Sequence, residues 1–322
     1  RRKSNTSETQ TVGLMRKQSA LAVFVLSAAF TLQAQQEKRV FDIRAFGAES
    51  GGKTLCTHAI QQAVNACETA GGGVVYLPSG RWLTGTIRLK SKVTLWLDQG
   101  CVLLGSPRLE DYPAKTPSVR SFTDNYVRQA LIRGEGLEHI AIRGQGTIDG
   151  NGGAFFGKKF KVRPYLIRFI RCTDVLVEGV HLRNSAMWMQ HYLACDRVRI
   201  RGITVWNHVN YNNDGFDIDA CHDVIVSECS ISSGDDALCL KSTLNRSCRN
   251  IVITNCVLSN HCNAIKMGTE TTGGFQNVTI TNCAIFSPPF TEKIIGRKRG
   301  LAGIALEIVD GGILNRIAIS NI

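Results

Sequence analysis

Seven segments of the chain repeat one short alternation of apolar and polar positions. They are His139–Gly144 (HIAIRG), Asp174–Val180 (DVLVEGV), Arg197–Ile203 (RVRIRGI), Asp223–Cys229 (DVIVSEC), Asn250–Cys256 (NIVITNC), Asn277–Cys283 (NVTITNC) and Arg316–Asn321 (RIAISN). The shared pattern is two or three β-formers, then Gly or Asn, then an apolar residue. The first β-formers are Ile140, Val175, Val198, Val224, Ile251, Val278 and Ile317, at steps of 35, 23, 26, 27, 27 and 39. Self-similarity at this period marks a solenoid, and short Val/Ile strands between turns make it a β-helix. The two long steps imply loops inserted into single coils.

The cysteines keep the same register. Cys172, Cys195, Cys221 and Cys248 each stand three residues before the first β-former, and Phe275 holds that place in the next coil. Cys229, Cys256 and Cys283 each stand five residues after it, where Val180 and Ile203 sit in earlier coils. Equivalent positions in successive coils stack about 4.8 Å apart. The expectation is ladders of small buried residues. One or two disulfides remain open at that spacing, and no Cys/His set outside the ladder has metal-ligand spacing.

The N-terminal part follows another pattern. Val40–Ile43 reads as a strand and Ala45–Ala48 as a turn. Cys56–Thr69 reads as an amphipathic helix with Ile60, Val64 and Cys67 on one face, ended by Gly71-Gly72-Gly73. Strands are expected at Val74–Leu77, Trp82–Leu89 and Val93–Leu97. A solenoid needs its open end covered, so this helix is the expected cap. The glycines follow a helix and precede no Lys-Ser/Thr pair, so they are not a phosphate loop.

Upstream, Met15-Arg16-Lys17 and the uncharged run Ala20–Leu32 have the layout of a secretory signal peptide, with a cleavage site near Leu32-Gln33-Ala34. Residues 1–14 then form an upstream extension, 15–34 the signal and 37–322 the β-helix. Secretion or periplasmic export is expected, and no later stretch reads as a membrane span. The repeat stops mid-coil at Ile322, so further coils are expected beyond it.

Charge narrows the partners a little. The formal net charge is +12. Residues 1–34 carry five cations against one acid, a net of +4, which leaves about +8 for the remainder. A basic surface draws an acidic partner. No nucleic-acid motif and no dense Lys/Arg run with interleaved aromatics is present.

Three coils align at one place: Asn213-Asp214-Gly215-Phe216-Asp217-Ile218, Asp235-Asp236-Ala237-Leu238-Cys239-Leu240 and Cys262-Asn263-Ala264-Ile265-Lys266-Met267. Asp214, Asp236 and Asn263 share a column, and Asp235 stands beside Asp236. Stacked carboxylates resist joint ionisation, so one pKa should rise. A glycosidase uses that arrangement, because it needs one protonated acid and one ionised base. Asp217 and Asp219 read equally well as surface turn residues.

With these motifs the chain resembles glycoside hydrolase family 28, the polygalacturonases and rhamnogalacturonases. The resemblance runs from about Phe41 to Ile322. It rests on FGA and GGGVVYLPSG in the cap, NNDGFDI at Asn212–Ile218 and SGDDALCLKS at Ser233–Ser242. It implies an all-β, right-handed parallel β-helix and inverting hydrolysis of a pectic polysaccharide or oligosaccharide, without cofactor or metal, by a monomer. Asp235 matches the general acid, and Asp214 with Asp236 matches the pair that activates water. Neighbouring Asp235 and Asp236 both reach the groove only if the strand bends, which Gly234 would permit.

Two positions depart from the family pattern. Asn263 stands where a Gly-His-Gly histidine is expected, with His261 two residues earlier. Ala305 and Glu307 stand where an Arg-x-Lys pair grips the galacturonate carboxylate. His261, Asn263, Lys266, Arg297 and Arg299 are therefore the candidate substrate-binding residues. The competing readings are a Ca²⁺-dependent lyase on the same scaffold, with the aspartates as ligands, and a β-helix that binds glycans without turning them over. Endo or exo action depends on whether the loops 150–164 and 288–299 close the groove.

Overall fold

The structure is a computed structural model, which describes residues 39–121 and 127–322. The expected upstream extension (1–14) and signal segment (15–34) lie outside the described residues. Three parallel sheets, of ten, eight and eight strands, wrap around one interior. The first contains the repeat found in the sequence. Its strands pair Ile140 with Val175, then Val198, Val224, Ile251, Val278 and Ile317, in unbroken parallel register.

The alternation follows from the coil geometry. In the strand Asp196–Arg201, Val198 and Ile200 are buried while Arg197 and Arg199 are exposed. Each inward Val or Ile stabilises the stack by about 1.5–3 kcal/mol through burial. Two columns of left-handed backbone frame these strands. One runs through Asp174, Arg197, Asp223, Asn250 and Asn277, at φ between 52 and 57°. The other runs through Gly179, Gly202, Glu228, Asn255 and Asn282. These columns explain the recurrent Gly and Asn, the residues that adopt αL at least cost. Their side chains form a ladder: Asn277 Nδ2 donates to Asn250 Oδ1 at 2.9 Å, and Asn250 Nδ2 to Asp223 Oδ1 at 2.7 Å.

Cys172, Cys195, Cys221 and Cys248 stack in one buried ladder that Phe275 continues. All twelve cysteines are free thiols. Amide N–H groups donate to sulfur within the ladder, from Cys172 to Cys195 at 3.4 Å and from Cys195 to Cys221 at 3.3 Å.

The helix Thr57–Thr69 buries Ala59, Ile60, Ala63, Val64 and Cys67. It packs on the strands Val40–Asp42, Gly73–Leu77 and Val93–Leu97, which places it over the open end of the coil. The expected strand Trp82–Leu89 is two strands, Gly80–Thr84 and Ile87–Arg88. The corner between them passes the Asp111 carbonyl so closely that a Cβ on Gly85 would sit 2.2 Å from it. The segment Val40–Ile43 is a strand only to Asp42, and Ile43–Phe46 is a 3-10 turn. Among the described residues no helix is long and apolar enough to cross a membrane.

Candidate active site

The site lies at the corner where the second sheet, containing Thr204–Asn207 and Ser230–Ser233, turns into the third, containing Phe216–Asp219 and Leu238–Lys241. Asp235 and Asp236 sit between Ser233 and Leu238, in the corner and not within a strand. That is why neighbouring side chains serve one site. Gly234 is not the residue that makes it possible, because an added Cβ there would meet nothing closer than 3.5 Å. The tight approach is at Gly215, where a Cβ would lie 2.3 Å from the Ala237 carbonyl. The ladder crosses the corner intact: the Met189 N–H donates to the Asp214 backbone carbonyl, the Gly215 N–H to that of Asp236 and the Ala237 N–H to that of Asn263, at 2.9–3.0 Å. Asp214, Asp236 and Asn263 therefore stack as one column.

Asparagines behind the corner hold it in place. Asn207 donates to the Asp214 carbonyl at 2.9 Å. Asn213 accepts from the N–H groups of Val209 and Asn210, and donates to the carbonyls of Ser185 and Met187. Arg163, reaching in from the inserted loop 150–164, donates to Asn210 and Asn212 side chains and to the Ala186 and Tyr211 carbonyls.

The carboxyl groups have separate surroundings. Asp236 is buried. Its Oδ1 accepts from Asn263 N and Nδ2 at 3.1 and 2.7 Å, and its Oδ2 lies 3.3 Å from the Lys266 ammonium. Asp235 is half-buried, accepts the Asp236 N–H at 3.1 Å, and opens into a cleft of about 490 Å³. Burial, then the Asp236 charge, pushes the Asp235 carboxyl above the usual carboxylate range. Asp214 is buried, and its Oδ1 has no hydrogen-bond partner. Burial, followed by the charges of Asp217, Asp235 and Asp236, drives its pKa well up. Such a cluster shares protons as a unit.

Asp217 and Asp219 are not surface turn residues. Both are fully buried, because the outer face of the third sheet is covered. Asp219 accepts from the Thr243 N–H and hydroxyl at 2.9 and 2.6 Å. Asp217 lies 3.8 Å from Lys241 Nζ, which also pairs with Glu270 at 3.0 Å and sits over the Trp188 ring at 4.8 Å. Burial opposes the Lys241 charge, but the facing carboxyl groups of Asp217 and Glu270 hold it well above its ordinary value.

The corner sequence with its stacked aspartates is the deciding feature, and residues 99–302 match the profile of glycosyl hydrolases family 28. The chain belongs to that family. A grapevine (Vitis vinifera) protein named "Probable polygalacturonase" is 37% identical over 61% of this chain and 43% of its own length. The exo-poly-alpha-D-galacturonosidase of Dickeya chrysanthemi is 38% identical over 35% of this chain and 20% of its own. The chain thus spans less than half the length of these curated relatives. The hyperthermoactive exopolygalacturonase of Thermotoga maritima superposes with a TM-score of 0.71 at 22% identity, over 88% of this chain and 80% of that one. That likeness places the fold as the right-handed parallel β-helix.

Within this family-28 chain, the cleft is walled by both inserted loops: Lys158, Phe160 and Arg163 on one side, Glu292, Ile294, Ile295 and Arg297 on the other. Arg297 thus lines the cleft together with Asp235, and its Nη1 donates to the His261 carbonyl at 3.4 Å. Arg299 does not line it and is exposed to solvent, since the loop turns outward after Arg297. His261 is also outside the cleft lining. It is neither an exposed turn residue nor a group reaching the carboxylates. Its ring is buried against His208 and Phe290, at centroid distances of 5.6 and 5.2 Å, and neither nitrogen has a hydrogen-bond partner. Asn263 gives its amide to Asp236. Lys266 lies between Asp236 and Glu307, 3.8 Å from the latter, while Ala305 is its partner on the next strand. Cys262 was not anticipated: its Sγ and oxygens of Asp235 and Asp236 lie within 4.8 Å of one another. The only sequence signal for it was adjacency to the aligned Asn263.

Proposed function

We propose that this chain is the hydrolytic core of an exported enzyme that cleaves glycosidic bonds in pectin-type polysaccharides or oligosaccharides. The observation that carries the reading is the asymmetric pair at the corner. Asp235 faces the cleft with its pKa raised, which suits a proton donor to a leaving oxygen. Asp236 is held by an ammonium and two N–H groups as an acceptor, which suits a water-activating role with Asp214. By its likeness to the family pattern the hydrolysis inverts the anomeric centre. Export is proposed from the basic start and apolar run at 15–34.

An acidic polymer fits the surroundings. A second hollow on the same sheet, nearer the cap, is lined by Arg88, Lys90, Arg128, Arg133 and Arg168, and by Lys115 paired with Glu135 at 2.8 Å. Arg88, Arg133 and Arg168 stack in register there. Arg168 is the buried end of that row, and the exposed Arg88 and Arg128 would steer polyanions to this face. A Ca²⁺-dependent lyase fits poorly. Calcium takes six to eight oxygens, whereas this cluster offers two carboxylates and a thiol, with the Lys266 ammonium already on Asp236.

Product analysis tests the proposal. The protein is incubated separately with polygalacturonan and rhamnogalacturonan in chelator, with Asp235→Asn as control. Saturated new reducing ends that disappear in the variant are expected, with loss on the order of 10²–10⁴ in rate. Unsaturated products, or full activity in Asp235→Asn, would overturn it. Cleavage of rhamnogalacturonan alone is the result expected if Glu307 beside Lys266 replaces a carboxylate-gripping pair.

A further inference from the structure

A third hollow, of about 370 Å³, opens beside the cleft on the second-sheet side of the corner. Trp206, His208, Phe290, Thr291, Glu292 and Lys293 line it. Its size is that of a small-ligand site. Glu292 lines the catalytic cleft as well, so the two hollows share a wall.

Trp206 stands in a polar stretch of its outward column. Trp206 points outward from the strand Thr204–Asn207, between buried Val205 and Asn207. Its in-register neighbours are Arg183 and Ser232, with Ser259 and then Phe286 further along the column. Yet Trp206 leaves 44% of its surface open to solvent. The ring is held in place. Phe290 from the inserted loop lies 5.6 Å from it and His208 4.6 Å. His208 is itself fixed by Ser232 Oγ at 2.9 Å and by the edges of His261 and Phe290. A rigid, exposed indole with polar groups at its margin suits a pyranose, whose C–H face is apolar and whose rim carries hydroxyls.

Charge narrows the sugar. The Glu292 carboxylate is buried in the shared wall and accepts the N–H groups of Ile294 and Ile295. It opposes a uronate, and the exposed Lys293, the single cation of the lining, offsets it, so the hollow carries no net charge. Arg163 and Arg297 line the cleft and not this hollow. We infer that the Trp206 hollow binds an uncharged pyranose carried as a branch on the polymer whose backbone lies in the cleft. The inference rests on the pectin-hydrolase reading for its polymer, and on the hollow alone for its sugar.

Two measurements separate them. The first follows the Trp206 indole N–H resonance, assigned with Trp206→Phe, during titration with methyl β-galactopyranoside and, separately, methyl galacturonoside. A shift with the neutral sugar only is expected. No shift, or an equal shift with the uronate, overturns the assignment. The second compares Trp206→Ala with the parent on a pectic oligosaccharide with single neutral branches and on its unbranched backbone. An aromatic contact of this kind is worth about fivefold to tenfold, so KM should rise by that factor on the branched substrate alone. Equal change on both substrates, or none on either, overturns the inference. If the resonance shifts but neither substrate is cut, the hollow stands and the hydrolase reading falls. If the backbone is cut and the resonance is unmoved, the reverse holds. Trp206→Phe, which keeps a ring, should retain most of the branched-substrate preference.

Discussion

Lys241→Met removes the positive charge from an enclosed acidic cluster while keeping most of the side-chain volume. The Lys241 side chain is 6% exposed, with its ammonium 3.0 Å from Glu270 and 3.8 Å from Asp217. Asp217 is fully buried, and neither carboxyl oxygen accepts a hydrogen bond. Removing one partner of a buried ion pair costs about 3–5 kcal/mol, because the other charge is left uncompensated. Asp217 escapes part of this by taking a proton, at about 1.4 kcal/mol for each unit its pKa stands above the solution pH. The expected loss at pH 7 is therefore about 3 kcal/mol. Its pH dependence has a definite sign. The Asp217 carboxyl is already raised by burial, so its protonation favours the folded state. Below about pH 4 the carboxyl is protonated both folded and unfolded, and the charge-related loss disappears. Urea unfolding of parent and variant at pH 7 and near pH 4 should show a gap that narrows on acidification. Lys241→Met/Asp217→Asn should recover at least half of the loss at pH 7. A gap that is the same at both pH values, or no recovery in the double variant, would mean that packing against Trp188 holds the site and charge compensation does not.

Asn263→Ala removes the 2.7 Å hydrogen bond to Asp236; a bond to a charged group is worth about 1.5–3 kcal/mol, so kcat should fall roughly tenfold to a hundredfold with KM little changed. Turnover should decline as pH rises through the raised Asp235 value, and Lys266→Met, which removes a cation that lowers that value, should move the alkaline limb to higher pH; a downward move would show that Asp235 is not the acid. Arg163→Met frees the cleft wall at Asn210–Asn212, so KM should rise more than kcat falls and amide exchange should quicken at 209–213; unchanged exchange would place the wall's order elsewhere.

Reading the site from sequence worked where the relevant geometry was local. The coil period placed Asp214 against Asp236 because parallel register carries one column straight to the next, and the Val/Ile alternation located the inward face before any contact was known. It failed where a distant segment settles on a surface. His261 has no sequence signal for burial, yet Phe290, far along the chain, closes over it. Asp217 and Asp219 look like turn residues because their alternation with Phe216 and Ile218 implies an outward face, but that face is itself covered, and the cluster Val127, Ala130, Tyr165, Met187 and Trp188 packs on the same side. Arg297 and Arg299 are two residues apart in one basic run, and only the path of the loop separates a cleft residue from a solvated one.

The sequence by itself determined the repeat, the cysteine ladders, the cap and the stack of carboxyl groups, since each depends on spacing within a coil and on a hydrogen-bond register that admits no slip without turning the buried face to water. Tertiary structure alone decided which carboxyl opens to solvent, which ammonium neutralises which acid, and which loop residues wall the cleft. Those outcomes depend on the dielectric and the neighbours that each group meets once two inserted loops wall the cleft at the corner, and desolvation and Coulomb energies are set by that enclosure, not by position along the chain.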